Sequence, residues 1–257
     1  MTATVRGPDY GVRMYLENLV IDALYPQRLG RFWEEALGTE RLTDVPEGFE
    51  TRLDLDGGWY LDLCFQRVPE PASEPPRLHV DLLGGPAQAD VVERLLALGA
   101  RHLDIGQGDA PWVVLADPEG NPCCVMEHRE EYAGTGPIAA LPLDSADPDR
   151  DAEFWAWLTG WTDVPATAPR ALRHPSRTGP LLELCPEARP KGAAKIRWHL
   201  DVRLEAGEDA DAVEADVLAR GGRRVDTSAW GDLPWRTYLD PSGNEFCVLS
   251  VPGAEQA

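Results

Sequence analysis

Between residues 16 and 23 the chain is mostly apolar (Leu16, Leu19, Val20, Ile21, Ala23), and then the spacing changes to Leu29, Phe32, Trp33, Ala36 and Leu37. The first run reads as a short buried strand. The second places its apolar residues on one stripe of a helix, with Gly38 positioned to stop it. The period then drops to two. Phe49, Thr51, Leu53 and Leu55, followed by Trp59, Leu61, Leu63 and Phe65, alternate as strands do and are joined at Gly57-Gly58, a hairpin signal. A Pro-rich connector (68–76) leads to a strand over Leu78–Leu82 and a helix from about Ala89 to Leu98 that Gly99 ends. A weak strand is expected near Arg101–Ile105, and two closing strands flank the turn Asp117-Pro118-Glu119-Gly120-Asn121.

The same series then repeats. Phe32-Trp33 returns as Phe154-Trp155, Leu63-Cys64 as Leu184-Cys185, and Arg77-Leu78-His79-Val80-Asp81 as Arg197-Trp198-His199-Leu200-Asp201. Pro111-Trp112 returns as Pro234-Trp235, and Asp117-Pro118 with Gly120-Asn121 returns as Asp240-Pro241 with Gly243-Asn244. The order never changes and the offset stays between 120 and 123 residues, so the chain is a tandem duplication. In the second copy Asp147-Pro148 supplies a cap and a first-turn proline for the opening helix. The boundary falls in the polar, Gly-rich stretch 130–137, which gives domains 1–130 and 131–257. Each copy reads β-α-β-β-β followed by β-α-β-β with the weak strand added. The two halves are expected to superimpose as separate eight-stranded, two-helix units.

Composition narrows the partners. A hydrophobic fraction of 43% supports a packed core, and 44 acidic against 24 basic residues give a formal charge of −20. That surface repels phosphate backbones and anionic lipid, which argues against nucleic acid and membrane partners and favours a cationic ligand, although acidity also serves plain solubility. No run of eighteen apolar residues occurs, and the N-terminus has no apolar segment ahead of a small-residue cleavage site. Five cysteines (Cys64, Cys123, Cys124, Cys185, Cys247) without a CxxC pair suit reduced thiols in a cytoplasmic protein.

With FW in the first helix, HxD on the strand that opens the second module and DPxGN ahead of the last strand, the chain resembles the glyoxalase/bleomycin-resistance (vicinal oxygen chelate) superfamily. The resemblance covers roughly residues 12–128 and 136–251. It implies an α+β fold in which pairs of βαβββ modules curl a mixed sheet into a cup that holds a ligand or metal.

Alternation predicts which side chains face such a cup. Leu78, Val80 and Leu82 share the face that packs on helices, so His79 and Asp81 point to the other, and His199 and Asp201 repeat the arrangement. By the resemblance, the metal positions of the superfamily fall on Asn18 and Ala140 in the first strands, on His79 and His199, and on Cys124 and Cys247 in the last strands. A triad of two histidines and a carboxylate is therefore missing from both copies, so no resident metal or other cofactor and no glyoxalase I activity are expected. A His–Cys pair suits zinc if further donors join it. The cysteines otherwise read as nucleophiles paired with histidine or as small apolar fillers of a strand. Asp117 and Asp240 read as turn residues and Trp33 and Trp155 as core. Trp112, Trp230 and Trp235 sit where a cup rim would be, placed to stack on a planar ligand.

Two classes of function follow. One is non-catalytic capture of a small, aromatic or cationic natural product, with drug sequestration as its use. The other is an enzyme of the superfamily (lyase, isomerase, cyclase or dioxygenase). A monomer or weak homodimer is expected, because the chain carries its own duplicate.

Overall fold

A computed structural model describes residues 13–231 and 233–251. The N-terminal stretch read above for a leader, and the side chain of Trp230, lie outside the described residues. The first half runs β1 (Met14–Ala23), α1 (Pro26–Leu37), β2 (Glu40–Val45), β3 (Gly48–Leu55), β4 (Trp59–Arg67), β5 (Val80–Leu83), α2 (Gln88–Leu98), β6 (Arg101–His102), β7 (Val113–Ala116) and β8 (Pro122–Met126). The second half repeats it as β9 (Ile138–Ser145), α3 (Pro148–Thr159), β10 (Thr162–Asp163), β11 (Arg170–Arg173), β12 (Leu181–Pro186), β13 (Trp198–Leu204), α4 (Ala210–Ala219), β14 (Arg223–Arg224), β15 (Trp235–Leu239) and β16 (Glu245–Leu249). None of the described helices is long and apolar enough to cross a membrane.

Local chemistry accounts for the helix ends. Asp147 accepts from the Arg150 N–H at 3.2 Å with Pro148 at the first position, and Gly38 stops α1 in the left-handed conformation (φ 69°). The strand expected at Leu78–Leu82 begins later. Leu78 makes only an isolated bridge to Leu143, because Pro142 lies opposite and has no N–H to donate. The corresponding strand β13 meets Val20 there and forms a full ladder.

The expectation that each half closes its own sheet is overturned. One eight-stranded sheet has the order β14-β15-β16-β13-β1-β4-β3-β2, and the other β10-β11-β12-β9-β5-β8-β7-β6. The first sheet joins the opening module of the first half to the closing module of the second, and the second sheet joins the two middle modules. The seams are antiparallel, β1 with β13 and β5 with β9, whereas β1 with β4 and β13 with β16 are parallel. A four-stranded module leaves its first strand as an open edge. The equivalent edge of the other copy satisfies it about a pseudo-twofold axis, as two subunits would in a symmetric dimer.

The four α-helices among the described residues cover the sheet faces opposite the cups, and one continuous apolar core joins both sheets. Trp33 and Trp155 are 0% and 1% exposed, as expected. Their indole N–H groups donate to Asp117 Oδ2 at 3.4 Å and Asp240 Oδ2 at 3.2 Å. Each bond ties a helix on one sheet to a turn of the other, which explains why FW and DPxGN recur together. Asp240 Oδ1 also accepts from the Ser242 and Asn244 N–H groups, the turn role read from the sequence.

Candidate functional site: two unequal cups

Register defines the concave faces. In the first sheet Asp201 stands beside Asn18 on one side and Cys247 on the other, Asn18 beside Asp62, and Cys247 beside Thr237. In the second, Asp81 stands between Ala140 and Cys124, with Leu181 and Val114 beyond them. Each cup therefore draws on both halves: Asn18 meets His199, Asp201 and Cys247, and Ala140 meets His79, Asp81 and Cys124. Aligning Asn18 with His79 within one copy, as the sequence reading did, joined residues of different sheets.

The His–Asp–Cys sets converge as their strands predict. His199 Nε2 lies 3.3 Å from Asp201 Oδ1 and 3.8 Å from Cys247 Sγ, all three residues being buried. His79 Nε2 lies 3.3 Å from Asp81 Oδ1, and donor atoms of His79, Asp81 and Cys124 fall within 4.8 Å of one another. Asp201 Oδ1 and Asp81 Oδ1 are both buried, and each has the Nε2 of its own histidine as a polar neighbour at 3.3 Å. Burial lowers the basicity of His79, but the hydrogen bond and charge of Asp81, helped by Asp144 and Glu183, outweigh it and raise the pKa above the ordinary value.

The thiols do not suit nucleophilic work. Burial, reinforced by nearby carboxylates, pushes Cys64 and Cys247 well above the ordinary thiol range, Cys124 above it, and Cys185 up to about 12. A metal changes that balance. Tetrahedral zinc, bound at about 2.0 Å to nitrogen or oxygen and about 2.3 Å to sulfur, sets its donors roughly 3.3–3.7 Å apart. In the first cup the His199–Asp201 separation of 3.3 Å falls in this range and the His199–Cys247 separation of 3.8 Å lies just beyond it, and Asp201 is a carboxylate that counting family positions had left out.

Beyond these shared residues the cups differ. The same β-bulge in β1 and β9 projects Glu17 into the first cup and Ala139 into the second. Asn18 is replaced by Ala140, Tyr60 by Leu181, Arg52 by Ala171 and Thr237 by Val114. In the first cup Glu17 accepts from Tyr60 Oη at 3.1 Å and from Arg203, and Arg52 grips Asp62 through two bonds of 2.8 and 2.7 Å. In the second, Val114, Ala139, Ala140, Ala171 and Leu181 form an apolar floor. Sequence reasoning missed Glu17, Arg52, Tyr60, Asp62 and Arg203. For all of these but Asp62, whose equivalent Glu183 is also acidic, the signal was available: repeat-equivalent positions whose polarity changes between copies.

The rim tryptophans diverge as well. Trp235 opens β15 on the concave face, in register with Leu249. Trp112 reaches the second cup, where the Arg129 guanidinium lies 5.8 Å from its ring centre.

Two mixed sheets of βαβββ modules, each curled around convergent polar side chains, define a cup-fold protein of the vicinal oxygen chelate type. Residues 18–126 and 140–249 each match the glyoxalase-like domain, and the chain belongs to that family. Among solved structures it is similar to glyoxalase I from Zea mays (TM-score 0.62, 14% identity, 92% of each chain covered). It is also similar to a putative dioxygenase from Bacillus subtilis (TM-score 0.59, 17% identity, 94% of this chain and 86% of that one). At these identities the likeness is one of fold. No curated protein matches the sequence.

Proposed function

We propose that the chain captures a small organic molecule in the cup of its first sheet. The observation that carries this is the concentration there of buried polar side chains, Glu17, Asp62, His199 and Asp201 among them, with the buried Nδ1 of His199 left without a hydrogen-bond partner. Buried polar groups cost free energy unless satisfied, and a bound ligand supplies the missing partner. Glu17, Glu50, Asp62 and Asp201 face the first cup against Arg52 and Arg203, so the cup favours a cation, in keeping with the −20 net charge. Trp235 offers a flat apolar wall at its edge. An aromatic molecule bearing a basic nitrogen fits this chemistry, and sequestration of a cationic antibiotic is its natural use. Titration with a panel of cationic aromatic antibiotics should quench tryptophan fluorescence, raise the melting temperature and weaken as salt rises. A panel that changes neither signal, or tight binding of an anion, refutes the reading.

A second reading, an enzyme of the superfamily, is favoured by the spacing of His199, Asp201 and Cys247. Those three would hold a zinc ion, which supplies Lewis-acid polarisation of an oxygen on the captured molecule. Asp62, paired with Arg52, and Glu17, paired with Arg203, would orient that molecule. Elemental analysis after dialysis separates the two readings. Stoichiometric zinc that is lost in His199→Ala favours the enzyme, and metal-free protein that still binds the panel favours capture.

A further inference from the structure

The connector between the halves, polar and without period in sequence, does not run outside the molecule. A short turn over Glu130–Tyr132 brings Tyr132 onto the apolar floor of the second cup, where the side chain is 1% exposed. Its neighbours there (Val114, Cys124, Ala140, Leu181) all share the face of Asp81. The phenol oxygen lies 3.3 Å from Glu183 Oε1 and 3.3 Å from Arg129 Nη1, and the Arg129 guanidinium lies 5.6 Å from the ring centre. The segment is fastened on both sides. Glu131 accepts from the Thr167 N–H at 3.0 Å, Arg173 donates to the Ala133 carbonyl at 2.8 Å, and Gly179 N–H donates to the Gly134 carbonyl at 3.1 Å.

We propose that Tyr132 is an internal ligand: the second cup is a phenol-binding site that the chain fills in cis, which leaves the first cup as the exchangeable one. Two independent observations meet here. The ring occupies the concave face with its hydroxyl at a buried carboxylate, as a bound phenol would. The floor beneath it also carries Ala139, Ala140, Ala171, Leu181 and Val114 where the first cup has Glu17, Asn18, Arg52, Tyr60 and Thr237, side chains that suit a permanent aromatic occupant and would serve a polar guest poorly. Small residues at three of these positions make room for the ring, in line with the close packing of interiors. The inference concerns the second cup and stands whether or not the first cup's ligand is the one proposed above.

The test uses the full chain and p-cresol, the tyrosine side chain as a free molecule. Tyr132→Gly should lower the melting temperature, and p-cresol should restore it, with a Kd on the order of a millimolar or below. At ten times that Kd the folding equilibrium rises about elevenfold. Wild type and Tyr132→Phe, whose cups are full, should not respond. Toluene should bind Tyr132→Gly more weakly, because it has no hydroxyl for Glu183. Should the glycine variant not fold unaided, its refolding yield with and without p-cresol gives the same answer. No rescue of melting or yield by p-cresol, or an equal shift in wild type, overturns the proposal.

Discussion

Replacing Trp155 with phenylalanine tests the link between the sheets. The indole is 1% exposed and its N–H donates to Asp240 Oδ2, which keeps only Asn244 Nδ2, at 2.9 Å, once that donor is gone. Burial raises the Asp240 carboxyl to about 6 despite the Asn244 and Trp155 donors, so near pH 8 it is a carboxylate. A lost hydrogen bond to a charged acceptor costs about 1.5–3 kcal/mol. Shrinking the ring leaves roughly 40 Å³, which at about 24 cal/mol per Å³ adds about 1 kcal/mol. The expected loss is therefore about 2.5–4 kcal/mol, read as a lower urea midpoint with an unchanged m-value. Asp240→Asn keeps the shape of the acceptor, and the double-mutant cycle should return a coupling of about 1–2 kcal/mol. Trp157→Phe, at a half-buried ring under Arg220, should cost under about 1 kcal/mol. A loss below about 1 kcal/mol for Trp155→Phe, or a coupling near zero, would show that FW and DPxGN are not joined as described.

The remaining predictions address the rim, the seam and pH. Trp235→Ala should weaken binding of a responding antibiotic about 5- to 30-fold by isothermal titration, since an aromatic contact is worth about 1–2 kcal/mol. Trp112→Ala, whose ring Arg129 covers, should leave that binding unchanged, and equal effects would contradict the assignment of the first cup. Fragments 1–130 and 131–257, co-expressed, should elute together at the mass of the intact chain, because each sheet needs both, and a well-folded monomer of either fragment would refute the seam. His174 stacks on Trp59 at 4.6 Å, and burial lowers its pKa to about 4. As pH falls below about 6.5 the unfolded chain takes the proton first, so stability is full above 6.5 and falls until pH 4. The ceiling is about 3 kcal/mol, reduced by partial exposure to about 1–2 kcal/mol. In His174→Gln this part of the pH slope should vanish, and an unchanged slope would refute it.

How much of this was legible in the sequence depended on whether the determinant was local. The order of elements, the core tryptophans and the pairing of His79 with Asp81 and of His199 with Asp201 follow from periods of 3.6 and 2, which a strand keeps whatever lies beside it. The neighbour of β1 was not legible for that reason: the alternation of Leu19 and Ile21 is the same whether the next strand comes from residues 80–83 or 198–204. The connector misled because Tyr132 is a single aromatic among polar and glycine residues, and its anchors, Thr167, Arg173 and Gly179, lie more than thirty positions away. The unequal cups were legible in principle, since residue pairs such as Glu17 and Ala139 occupy the same place in the repeat, but only a face assignment turns such a difference into a difference of lining.

Fusion permits the cups to be unequal. In a dimer of identical chains, symmetry makes both sites the same, so a substitution that fills one fills the other and the function is lost. Once the two halves are one chain, the same place can hold Ala140 in the second cup and Asn18 in the first. The connector exists only once, between β8 and β9, next to the second cup. A tyrosine there reaches one cup and not its pseudo-symmetric partner, so a single chain holds both the unequal linings and the segment that fills one of them. The filled cup still contributes. With Tyr132 against Ala139, Ala140, Ala171 and Leu181, the seam of the second sheet, interrupted at Pro142, is packed from its open side. Packing there holds the two halves in the register that the first sheet's longer β1–β13 seam also requires. On this account the second cup trades binding for the stability of the first, and substitutions at Tyr132 act on the first cup's ligand only through folding.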